Sequence, residues 1–158
     1  MTSVSENRGG APVGFITELD SIEAAAVVYL RLWSDGPTAQ SGMRADFVSL
    51  LGPSRGARAI ETFETLIDHC ARHGRRPLMR HALTCKCLGA DEACFANFIG
   101  AAADCAHEDA MIFAALLVRP DMAALVADLA TDFGLCLKQM RLRAPRELGH
   151  HPHSSTLH

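Results

Sequence analysis

Apolar side chains return every three or four positions through most of the chain from Asp20 to Met140, the period of an amphipathic helix. Asp20 and Glu23 make an Asp-x-x-Glu start signal. Behind them Ile22, Ala26, Tyr29, Leu30 and Trp33 share a face until Gly36-Pro37 stops the run. A second helix is expected over Ala39–Leu51, with Met43, Phe47, Leu50 and Leu51 in phase and Gly52-Pro53 at its end. Ser54 is expected to cap a third, whose face is Ile60, Phe63, Leu66, Ile67 and Cys70 and which stops near His73-Gly74. The next segment, 74–89, breaks the pattern and reads as a loop with at most one short helical or extended turn.

Asp91 then looks like the cap of a helix carrying Phe95, Phe98 and Ile99. His107 to Asp109 open a fifth, and its run Ala110–Val118, apolar on every side, is expected to be the central buried helix. Arg119-Pro120-Asp121 is a tight joint. The last helix holds Met122, Leu125, Val126, Leu129, Phe133, Cys136, Leu137 and Met140 in phase and continues through Gly134, where a kink is allowed. Strand-type alternation is nearly absent. The expected fold is therefore all-α: a single-domain irregular bundle of about six helices over 15–143, between a disordered segment 1–14 and a flexible His-rich tail 144–158.

Composition agrees with this reading. The 158 residues are 49% hydrophobic, 21% charged and poor in aromatics, so a core can form without disulfides or metals as staples. The net charge of −3 gives no basic excess for nucleic acid, and no run is long enough to span a membrane. No secretory signal pattern opens the chain, so its six cysteines are expected as thiols in a reducing cytoplasm.

Chemistry concentrates near those thiols. Cys85, Cys87, Cys94 and Cys105, with His81 and His107, offer the soft and borderline donors that zinc prefers, although their spacing matches no strong zinc signature. Packing as small apolar groups is the competing account of Cys94 and Cys105, and it is the stronger one for Cys70 and Cys136. Arg72, Arg75, Arg76, Arg80 and Lys86 fall in the segment that leads into Cys85 and Cys87, with no acidic residue among them. Positive charge lowers a thiol pKa, so these two can be redox thiols, and the same run can form an anion patch. A Cys-x-Cys disulfide would be strained and labile. Asp91-Glu92 and Glu108-Asp109 read as helix-start carboxylates rather than a catalytic pair. His150, His151, His153 and His158 suit weak, adventitious metal binding by the tail.

The sequence thus favours a non-enzymatic interaction or scaffold protein acting as a homodimer. Any apolar surplus on Trp33, Met43, Phe47 and the last helix would be the interface. The alternative is a metal-binding or redox-sensing protein built on the Cys85/Cys87 loop. Neither a nucleic acid nor a membrane is an expected partner.

Overall fold

Helix signals in the chain become helices almost where the period places them. A computed structural model describes residues 8–143. Six α-helices lie among the described residues: α1 Ser21–Ser34, α2 Pro37–Leu51, α3 Pro53–His73, α4 Ala90–Ala103, α5 His107–Leu117 and α6 Ala123–Arg143. The all-α, single-domain reading holds. The Asp20 carboxylate caps α1, accepting from the Ile22 and Glu23 amides at 2.9 Å each.

Two expected caps fall elsewhere. Pro37 and Pro53 open α2 and α3 from their first turns, with Gly36 and Gly52 as the preceding residues, so Ser54 lies inside α3 rather than capping it. Helix α4 starts after Gly89, which puts Asp91 in its first turn. Glu92 returns a carboxylate oxygen to the Gly89 amide at 3.0 Å.

The core is an aromatic junction where α1, α2, α3 and α6 meet. Phe47 stacks on Phe133 at 6.0 Å between centroids, and Phe63 lies 4.8 Å from Phe133. Tyr29 and Trp33 meet Phe47 and Phe63 edge-on. Trp33 thus packs into this junction, and Met43 and Phe47 are fully buried within the chain, so none of the three forms a surplus face.

The fifth helix corrects the sequence reading: it is not the central one. Its alanines Ala110 and Ala114 face inward with Leu117, while Ile112 is 60% and Leu116 61% exposed. The central helix is α4, with Phe95, Ala96, Phe98, Ile99, Ala102 and Ala103 all buried. Helix α6 approaches it where Gly134 meets Ala103. A β-carbon at 134 would lie 2.8 Å from Ala103 Cβ and 2.9 Å from Ala103 Cα and N, so the glycine serves close packing in an uninterrupted helix.

The N-terminal expectation is corrected as well. Arg8–Gly10 form a 3-10 turn, and β1 Pro12–Phe15 pairs antiparallel with β2 Cys87–Gly89. Hydrogen bonds from Ala90 N to Ala11 O and from Ile16 N to Lys86 O extend the pairing on either side. The segment expected to be loose therefore straps the cysteine loop to the helices. The proposed disorder of residues 1–7, and the flexible tail with its four histidines, lie outside the described residues.

Candidate functional site

One buried arginine organises the cysteine loop. Arg31 sits on the face of α1 that carries Val27, turned toward α4 and only 3% exposed, and Glu92 of α4 is fully buried opposite it. The pair is bidentate: Arg31 Nε donates to Glu92 Oε2 at 2.6 Å and an Arg31 terminal nitrogen to Oε1 at 2.9 Å. The remaining guanidinium donors reach main-chain carbonyls of the loop, Cys85 O at 2.6 Å, Cys87 O at 2.8 Å and Ala82 O at 3.1 Å. All five guanidinium hydrogens thus have acceptors, which is what lets the charge stay buried. Burial alone would raise the Glu92 pKa. The Arg31 hydrogen bonds, the Gly89 amide and the Arg31 charge outweigh it and hold the carboxyl below its ordinary value.

The turn pinned in this way closes with Cys85 N donating to Ala82 O at 2.9 Å. It brings the Cys85 thiol to His81 Nδ1, with sulfur and nitrogen 3.5 Å apart. On the other side of the ring His81 Nε2 is 2.8 Å from Gly10 O. A carbonyl can only accept, so Nε2 carries a proton and donates. In the neutral ring this leaves the Nδ1 lone pair facing the sulfur, ready to take its proton.

The two groups shift in opposite directions. The thiolate opposite raises the His81 pKa, helped by the Gly10 carbonyl. His81 lowers the Cys85 pKa, helped by the Cys87 amide and thiol. Together they favour a thiolate–imidazolium pair, the activated-nucleophile arrangement of a thiol beside an oriented base.

The other thiols differ. Burial pushes Cys70 up to about 12 and Cys94 up to about 11, and it raises Cys136. Cys70 is a core residue, and Cys94 and Cys136 pack against the core. The core-filler reading is corrected for Cys105, which is exposed and adopts a left-handed φ of 55° just past α4. His107 opens α5. Of the six residues read as candidate metal donors, His81 and Cys85 are in contact, with Cys87 beside them. Among the described residues no three His, Cys, Asp or Glu side chains form a metal-binding group.

The basic run does not gather into a patch. Arg72 pairs with Asp68, Arg75 donates to Ala115 O, Arg76 pairs with Asp91, and Arg80 donates to Leu78 O at 3.2 Å. Lys86 is exposed on the strand-side of the loop, where its carbonyl accepts from Ile16. Asp91 is more than a helix-start carboxylate. It holds Arg76 at 2.6 Å and the Met79 amide at 2.8 Å, and a β-carbon on Gly9 would collide with both its carboxylate and Arg76.

Three residues that shape the candidate site escape the sequence reading: Arg31, Glu92 beyond its capping role, and Gly10. A signal for the first existed, because Arg31 lies one turn after buried Val27 and so faces inward. Comparison with protein-family models, curated proteins and solved structures found no match for this chain.

Proposed function

We propose that this protein is a thiol-based redox protein in which Cys85 is the reacting thiolate, His81 its base and Cys87 the second thiol. The contact between Cys85 and His81, with the ring fixed by Gly10 O, carries this reading. The two thiols pass two electrons and two protons to an oxidant, a disulfide or a hydroperoxide, and become one Cys85–Cys87 disulfide. Strain in so short a loop makes that bond easy to reduce again, which suits a reversible sensor.

Mild oxidation followed by mass mapping tests this. The expected product is about two daltons lighter, joins Cys85 to Cys87, and is lost in Cys85→Ser and Cys87→Ser. Exposed Cys105 is an internal control. Alkylation of Cys85 no faster than that of Cys105 at neutral pH would overturn the reading.

A homodimeric interaction protein is the second reading, and the exposed apolar side chains of α5, Met111, Ile112 and Leu116, favour it. Sedimentation of the wild type beside Ile112→Glu/Leu116→Glu tests it. A wild-type dimer converted to monomer is expected, and a monomeric wild type would refute it.

A further inference from the structure

A cleft of about 200 Å³ lies between the turn that leads into Cys85 and the C-terminal end of α1. His81, Ala82 and Leu83 line one side, so the histidine that holds the thiol also borders the cleft. Arg31, Ser34 and Asp35 line it from the end of α1, and Arg80 lines it beside His81. The charges of Asp35 and Arg80 are of opposite sign, and neither residue stands in an ion pair among the described residues. The Ser34 hydroxyl is turned back onto Leu30 O, and the Arg31 guanidinium, which also lines the cleft, is spent on Glu92 and the loop carbonyls, leaving Asp35 and Arg80 as the recognition groups. A guanidinium and a carboxylate that face the same small space without neutralising each other match a ligand bearing both a carboxylate and an ammonium group.

We propose that this cleft receives the amino-acid end of a small zwitterionic disulfide, and that this disulfide is the oxidant of Cys85. The inference rests on the redox reading above and names its substrate class. The Cys85 thiolate attacks one sulfur of R–S–S–R. The S–S bond breaks, a Cys85–S–S–R mixed disulfide forms, and the leaving RS⁻ takes the Nδ1 proton of the His81 imidazolium. Neutral His81 then accepts the Cys87 proton. The Cys87 thiolate attacks the Cys85 sulfur and expels the second RS⁻, which His81 protonates. Two protein thiols and one R–S–S–R become one protein disulfide and two RSH. Arg80 binds the carboxylate and Asp35 the ammonium of the bound half.

Three probes of one scaffold test the assignment: cystine, its dimethyl ester, which lacks the carboxylates, and N,N′-diacetylcystine, which lacks the ammonium groups. Rates of Cys85 thiolation in the Cys87→Ser chain are divided by the rate of each probe with 2-mercaptoethanol, which removes its intrinsic reactivity. Cystine is expected to exceed each derivative by up to about fivefold, the upper end of the range set by exposed ion pairs. Arg80→Gln should erase its advantage over the ester alone, and Asp35→Asn its advantage over the diacetyl derivative alone. Fast thiolation with equal corrected rates for all three probes, or advantages that survive both substitutions, would overturn the substrate class and leave the redox reading standing. Slow thiolation by every probe, at the rate of Cys105, would overturn both.

Discussion

Replacing Arg31 by methionine removes the positive half of a buried pair and leaves Glu92 fully enclosed, with main-chain amides, Gly89 at 3.0 Å and His81, as its remaining partners. Stranding one member of such a pair costs about 3–5 kcal/mol. The three loop carbonyls that lose Arg31 add little, since the loop is partly open and water can replace it. For a domain of this size that loss lowers the melting temperature by about 10–20 °C.

The pH dependence gives a second signature. In the wild type the Glu92 pKa is depressed, so its contribution is present above the ordinary carboxyl value of 4.5 and lost as pH falls through the folded value. In Arg31→Met burial acts without Arg31, and the folded pKa moves above 4.5. The penalty is then full at neutral pH and relieved as pH falls. Urea unfolding followed by circular dichroism at pH 7 and pH 4 should therefore show a gap between wild type and variant that narrows in acid. The double variant Arg31→Met/Glu92→Gln keeps an acceptor for Gly89 without the charge and should recover more than half of the loss. A single variant within about 1 kcal/mol of wild type at pH 7, against the 3–5 expected, would refute this account of the hub. So would a double variant no better than the single one.

Gly134→Ala forces a β-carbon against Ala103 and should cost about 1–3 kcal/mol in chemical denaturation, whereas helix propensity alone would make it stabilising. Burial, with the hydrogen bond and charge of Asp20 in support, raises Glu23 to about 6. Its contribution is complete below 4.5 and fades as pH rises through the folded value of about 6. Glu23→Gln should flatten the stability profile between pH 5 and pH 7 by less than about 1 kcal/mol after solvent screening, as read by thermal unfolding across that window.

The helices were legible because their apolar faces repeat over several turns, and a period read over that length tolerates single exceptions such as Gly134. Burial of α5 was not legible. A run apolar on every side shows that some face is covered without showing which, and here small Ala110 and Ala114 allow close approach while Ile112 and Leu116 are left outside. The candidate thiols and His81 were visible as residue types. Their pairing was not, since the contact depends on a turn pinned from α1 by Arg31 and on a carbonyl from Gly10, both distant in sequence. The basic run misled because charge along the chain does not reveal local partners: Asp68 and Asp91 occupy Arg72 and Arg76.

The central proposal is that His81 shifts Cys85 toward its thiolate, and the rate of Cys85 alkylation by iodoacetamide across pH measures that directly. The account predicts an inflection below the free-thiol value of about 8.5 in the wild type, moved up toward that value in His81→Ala. A profile inflected near 8.5 and unchanged by His81→Ala would contradict it.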